Sequence, residues 1–160
     1  MSSLKVLFVC LGNICRSPAA EAIFKSYVDK NGRTKSFFID SAGTSGFHHG
    51  ELPDSRMRAH GQKRHFEINS RSRLLLREDL DNFDHIYVMD AKNLSATLSL
   101  ATKENASKVE MLTDYCRKIK IDHVPDPYYG GAEGFERVFD ILEDACLHLF
   151  DTLVKKIDEK

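Results

Sequence analysis

Apolar positions recur along this chain in two alternating rhythms. Leu4-Lys5-Val6-Leu7-Phe8-Val9 is nearly continuous in apolar, β-favouring residues, which predicts a strand buried on both faces. It stops at Gly12-Asn13, and Ser17-Pro18 then reads as an N-cap followed by proline at the first helical position. Ala20, Ile23, Phe24 and Tyr27 make that helix's apolar stripe, and Asn31-Gly32 ends it. Ser36 to Ser41 predicts a second strand through Phe37, Phe38 and Ile39. Ala42 to Leu52, rich in Gly, Ser and His, reads as a surface loop. A polar helix is expected from Pro53 to about His65, and a buried strand over His85–Met89 ending at Asp90. A helix from about Asn93 to Thr102 and a short strand over Lys108–Leu112 complete the middle of the chain. Val124 to Gly131 holds two prolines and two glycines in eight residues, so it is irregular. The strongest helical pattern follows: Phe135, Val138, Phe139, Leu142, Cys146, Leu149, Leu153 and Ile157. Cys146 therefore reads as packing rather than chemistry.

Strands alternating with helices predict a parallel sheet covered on both faces, in one domain spanning residues 1–160. Ligands on such sheets bind where the strands end, at the switch in strand order. Both the Cys10 loop and Asp90 follow strands at that edge.

Composition narrows the picture. The chain is 42% hydrophobic and 29% charged with a net charge of −1, which argues against general attraction to nucleic acid or an anionic membrane. The opening apolar run is too short to span a bilayer and no signal-peptide pattern follows it, so a cytoplasmic protein is expected. Four cysteines at Cys10, Cys15, Cys116 and Cys146 form no disulfide frame, and Cys10-x4-Cys15 lacks a second pair at zinc spacing. No metal or other cofactor is expected, and at least one thiol is free for chemistry.

The candidate chemistry lies in Cys10-Leu11-Gly12-Asn13-Ile14-Cys15-Arg16-Ser17-Pro18. A glycine-containing turn between strand and helix gathers backbone N–H groups around one anion. With Cys10 at its start, Arg16 at its end and five residues between, the loop wraps a phosphate, sets sulfur beneath it and lays a guanidinium fork across its oxygens. Those donors also favour a negatively charged sulfur, the form that attacks, and Ser17 is placed to donate to it. The plainer reading of Cys10, a buried strand-end cysteine, leaves Gly12, Arg16, Ser17 and Pro18 without a role. Attack by sulfur on phosphorus needs a proton for the leaving oxygen. Asp126, between Pro125 and Pro127, is the candidate acid; its alternative is a turn residue of the Asx type. Tyr128 and Tyr129 beside it would wall a slot for a flat leaving group.

Cys-x5-Arg-Ser-Pro near the N-terminus together with Asp126-Pro127-Tyr128-Tyr129 resembles the low-molecular-weight protein tyrosine phosphatases, and the likeness extends over essentially the whole chain. Ser41-Ala42-Gly43-Thr44-Ser45, Pro53-Asp54-Ser55-Arg56, Phe83-Asp84-His85-Ile86 and Met89-Asp90 also fall where that family has related segments. The resemblance implies a three-layer α/β/α fold of the flavodoxin-like or Rossmann-like kind with a four-stranded parallel sheet. It implies metal-independent hydrolysis of phosphotyrosine on proteins through a phosphocysteine, with acid phosphatase activity on aryl phosphates. Cys10 becomes the nucleophile, Arg16 the transition-state clamp and Asp126 the general acid, then base. Gly12, Asn13, Ile14, Cys15 and Ser17 become phosphate-binding residues. Asn13 would hold a left-handed conformation tied to Ser41, and Leu11, Phe47, Tyr128 and Tyr129 would line the slot. Cys15 occupies the position where members form a reversible disulfide with the nucleophile; otherwise it is a small core residue. Phosphotyrosine proteins are the expected partners, with no nucleic acid or membrane, and the chain is expected to be a monomer capable of weak self-association. Two positions depart from the family: Phe47 replaces a frequent Trp, and Ser70 aligns with a histidine that supports the loop. Three other readings remain. A thioredoxin-coupled arsenate reductase would need relay cysteines, which residues 66 to 100 lack. A protein arginine phosphatase tends to carry Thr where this chain has Leu11. A non-catalytic phosphate-binding module would tolerate loss of Cys10, Arg16 or Asp126.

Overall fold

In a computed structural model, residues 3–160 are described. Four strands form one fully parallel sheet: β1 (Leu4–Cys10), β2 (Phe37–Gly43), β3 (His85–Val88) and β4 (Val109–Met111), in the order β2-β1-β3-β4. The chain steps to one side of β1 for β2 and to the other for β3. That reversal opens a crevice at the carboxyl end of β1. Helices α1 (Arg16–Lys30), α2 (Ser55–Lys63), α3 (Arg77–Asn82), α4 (Ala91–Leu98) and α5 (Ala132–Asp158) supply the covering layers.

The alternation along β1 decides which face its chemistry meets. Val6, Phe8 and Cys10 belong to the larger core, with Phe24 of α1 and Phe139, Leu142 and Cys146 of α5. Leu7 and Val9 belong to the smaller one, with Leu80, Phe83, Ile86 and Val88. Phe8 meets Phe24 edge to face at 5.7 Å between ring centres, and Phe24 meets Phe37 the same way at 5.4 Å. Cys10 is therefore the last residue of a strand clamped between two packed layers. Cys146 is fully buried, as its place in the apolar stripe predicts.

Every expected strand is present with slightly moved ends, and the fold class stands. Three expectations need correction. The first helix begins at Arg16, after Cys15, and Ser17 does not cap it. Proline still fits, because Pro18 lies in the first turn, where backbone N–H groups have no helical partner. The middle helix runs Ala91–Leu98 rather than from Asn93 to Thr102, since Asp90 caps it by accepting from Asn93 N at 2.8 Å. The six-residue α3 was not expected at all; it is too short to show a period, and Asp79 stabilises its start by accepting from Leu76 N at 2.8 Å. Among the described residues, no helix is long and apolar enough to cross a membrane.

Candidate active site

The turn from β1 to α1 is shaped from outside. Its carbonyls are held outward: Cys10 O accepts from Thr44 N, Leu11 O from Ser45 N, Gly12 O from Ser72 Oγ and Ile14 O from Asp54 N, all at 2.8–2.9 Å. The N–H groups that follow those carbonyls are left to line the concave side. Asn13 has φ of 56°, the left-handed bend expected of it. The end of β2 approaches so closely that a Cβ on Gly43 would lie 2.8 Å from Leu11 O and 3.1 Å from Asn13 Cβ. Glycine is required there for space.

Behind the turn runs a directed chain of hydrogen bonds. Asn13 donates through Nδ2 to Ser17 Oγ (2.7 Å) and to Ser41 Oγ (2.9 Å), while its Oδ1 accepts from Arg73 N (3.1 Å). Ser41 in turn donates to Glu21 Oε1 at 2.6 Å, and Lys25 pairs with the other oxygen of Glu21 at 2.5 Å. Because Ser17 Oγ already receives a hydrogen from Asn13, its own hydrogen is available to Cys10 Sγ, 3.0 Å away. A carboxylate can only accept, so Glu21 makes Ser41 a donor to it and leaves the Ser41 oxygen to accept from Asn13. The Asn13 amide nitrogen then donates two ways, through Ser41 toward Glu21 and through Ser17 toward the sulfur.

Arg16, 2% exposed, reaches the same cavity from the first residue of α1. Its Nη1 donates to Asp90 Oδ2 (2.6 Å) and Val124 O (3.0 Å), and its Nη2 stands 3.6 Å from Asp126 Oδ2. Burial works against the guanidinium charge, but Cys10, Asp90 and Asp126 outweigh it and keep Arg16 a cation. Burial likewise pushes the Asp90 carboxyl up, yet the hydrogen bonds from Arg16 and Asn93 N hold it below the usual carboxylate range. Cys15 is the opposite case: burial first, then Asp54, Cys10 and Asp126, push its thiol well up.

A cavity of about 340 Å³ joins these groups, lined by Cys10, Leu11, Gly12, Ile14, Cys15 and Arg16 below and by Phe47, Asp126, Tyr128 and Tyr129 above. Cys10, Ile14, Cys15 and Arg16 are buried at its floor, whereas Leu11 is 51%, Phe47 84% and Tyr129 92% exposed. Every slot residue expected from sequence is present, and His48 and Ser45 join them. Asn13, Ser17 and Ser41 stand behind the cup. Ser70 does not support the loop: Ser72 Oγ bonds Gly12 O, and Arg73 N takes the Asn13 oxygen. The polar stretch Asn69 to Arg73 offers several registers, and only the folded loop selects one. Glu21 and Asp90 were also missed as supports. Ser17, Glu21 and Lys25 follow at i, i+4 spacing, a polar line along one side of the helix, and Asp90 closes a buried strand. Among the described residues, no three His, Cys, Asp or Glu side chains converge as metal ligands. The donors lining the cup are those an anion needs.

The model of the family described as low molecular weight phosphotyrosine protein phosphatase matches residues 5–159. The chain belongs to that family. A protein tyrosine phosphatase of Entamoeba histolytica has a crystal structure that superposes with TM-score 0.94 at 47% identity, covering 96% of this chain and 99% of that one. The Bacillus subtilis low molecular weight protein-tyrosine-phosphatase YfkJ is 38% identical over 154 residues, 96% of this chain and 97% of its own length. An arginine phosphatase of Drosophila shares the architecture at TM-score 0.85 and 31% identity, covering 94% and 98%. One phosphatase scaffold thus carries relatives named for different substrates.

Proposed function

We propose that this phosphatase hydrolyses phosphotyrosine on proteins in two in-line steps. Cys10 Sγ attacks phosphorus as the thiolate while the bond to the tyrosine oxygen breaks, and Asp126 gives that oxygen its proton. Water then attacks the phosphocysteine, Asp126 takes the water's proton, and the S–P bond breaks to release inorganic phosphate and the thiolate. Arg16 and the N–H groups from Leu11 to Arg16 hold the equatorial oxygens throughout, where charge is densest. Leu11, Phe47, Tyr128 and Tyr129 flank the aryl ring. The single observation supporting this reading is that a sulfur, a buried guanidinium and a part-exposed carboxylate meet in one cavity with an aromatic rim.

A peptide panel tests it. Turnover should be highest on phosphotyrosine, with phosphoarginine and phosphoserine peptides poor substrates, and Cys10→Ser should lose at least about 10⁴-fold in kcat. Preference for phosphoarginine would reassign the substrate, and full activity in Cys10→Ser would remove the mechanism.

Cys15 completes the reading as a redox reserve. Peroxide oxidises Cys10 to the sulfenic acid; Cys15 sulfur then attacks it, water leaves and a Cys10–Cys15 disulfide forms. Because Cys15 is held as a thiol, the bridge should appear slowly and mainly at alkaline pH. Mass-spectrometric mapping after peroxide should recover that bridge in wild type and only over-oxidised Cys10 in Cys15→Ala.

A further inference from the structure

Asp54 and Arg56 stand outside the cup, where α2 begins. Asp54 N donates to Ile14 O at 2.8 Å, fastening the start of α2 to the phosphate loop. The Asp54 carboxylate caps α2 by accepting from Arg56 N (2.8 Å) and grips the same residue's guanidinium through Nε (3.1 Å) and Nη2 (2.9 Å). From that anchored position Arg56 Nη2 donates to the carbonyl of Tyr128 at 2.9 Å. The guanidinium also lies over two rings, 5.5 Å from the centre of Tyr128 and 4.8 Å from that of Phe135 in α5.

The segment it holds is otherwise fixed by the Arg16–Asp126 ion pair at 3.6 Å and by packing of Pro127 and Tyr128. Arg16 and Met89, just past β3, fix its root at Val124, through Val124 O and Val124 N. From Pro125 to Gly130, among the described residues, the Arg56–Tyr128 bond is the one hydrogen bond received from outside the segment. Inside it, Asp126 Oδ1 accepts from Tyr128 N at 3.0 Å. The residue that presents its N–H to Asp126 is therefore the one whose carbonyl Arg56 holds, one Cα away. Displacing Tyr128 would take away the Oδ1 partner and leave the carboxylate to its 3.6 Å contact with Arg16.

We propose that Arg56 is a positioning residue for proton transfer: braced by Asp54 on the phosphate loop, it sets the height of Asp126 above the cup through the Tyr128 carbonyl. This rests on Asp126 being the acid. A misplacement of about 1 Å can cost 10²-fold in a positioned reaction, so the bond needs little strength to matter. A planar fork is needed, because one group must grip Asp54, reach a carbonyl and stack on rings.

The test is a series of aryl phosphates whose phenols span a wide range of acidity, run on wild type, Arg56→Ala, Arg56→Lys and Asp126→Asn. Loss of the acid is felt most by the worst leaving group. In Arg56→Ala, kcat/KM should fall about tenfold for phenyl phosphate and much less for p-nitrophenyl phosphate. Arg56→Lys should fall between, and inhibition by inorganic phosphate should stay within about twofold of wild type in both. Equal losses across the series, with a matching loss of phosphate inhibition, would mean that Arg56 only supports the scaffold. A level series in Arg56→Ala beside a steep one in Asp126→Asn would overturn the proposal alone. A level series in Asp126→Asn would remove the acid assignment itself. Should Arg56→Ala fail to fold, the slope of Arg56→Lys against wild type decides between these outcomes.

Discussion

The floor and the rim of the cavity are built on different principles. On the floor, Cys10 and Arg16 are each 2% exposed, and nearly every polar atom around them has a partner fixed by direction as well as distance. At the rim, Asp126 keeps 36% of its side chain exposed, and Phe47 and Tyr129 stand almost fully in solvent. The floor handles phosphate, which is the same in every substrate and demands donors that do not reorganise. The rim handles the leaving group, which varies.

Asn13→Ala should produce the largest break in the floor that leaves the nucleophile in place. It removes both bonds to the serine hydroxyls and the acceptor for Arg73 N, at a residue with φ of 56°. Ser17 is then free to turn from the sulfur, and alanine tolerates the left-handed region poorly. We expect a loss of about 10²-fold in kcat and ~1–3 kcal/mol in unfolding free energy, read by steady-state kinetics and urea titration. An unchanged kcat would show that the directed chain does not serve the sulfur.

A smaller effect is expected from Asp90→Asn, which keeps an acceptor for Arg16 but removes the charge. A fall of about tenfold in kcat/KM should follow, because charge-assisted bonds are about twice as strong as neutral ones. Asp90 is depressed below the usual carboxylate range, so the ion pair is fully present above the unfolded value of about 3.9 and is lost only as pH falls through the lower folded value. The ratio of wild type to variant should therefore stay level from pH 5 to pH 8. A ratio that changes in that window would mean that Asp90 titrates there and the pair is not the one seen.

The sequence announced the floor's chemistry but not its support. Cys10, Gly12, Arg16 and Ser17 lie in one turn, so their meeting follows from local geometry and can be read directly. The partners that hold them come from afar: Asp90 lies 74 positions from Arg16, and Ser41 lies 28 from Asn13. Asn13–Ser41 was legible only through family resemblance. Glu21 left a polar line on a helix, whose meaning appears only when Ser41 of the neighbouring strand comes opposite it. Ser70 and Ser72 show the limit most sharply. They have the same side chain two positions apart in an irregular stretch, and no periodicity says which one turns inward. At the rim the case is reversed: Asp126, Tyr128 and Tyr129 are neighbours in the chain, but the arginine that binds their loop to the cup sits on another helix.

The smallest effect should come from Phe47→Ala, and it bears most directly on the division between floor and rim. Phe47 rests edge-on against His48 at 4.8 Å between ring centres, and through His48, 6.2 Å from Tyr128, it belongs to the aromatic side of the opening. It touches no member of the buried chain, so truncation removes ring contact without disturbing phosphate binding. A face so exposed gains little from burial until substrate covers it; edge-to-face aromatic contacts are then worth about 0.5–1.5 kcal/mol. That predicts a rise of roughly two- to tenfold in KM for phosphotyrosine peptides with kcat nearly unchanged, and almost no change in inhibition by inorganic phosphate. A fall in kcat instead would mean that the rim reaches into the chemical step, and the separation of phosphate recognition from leaving-group recognition would have to be abandoned.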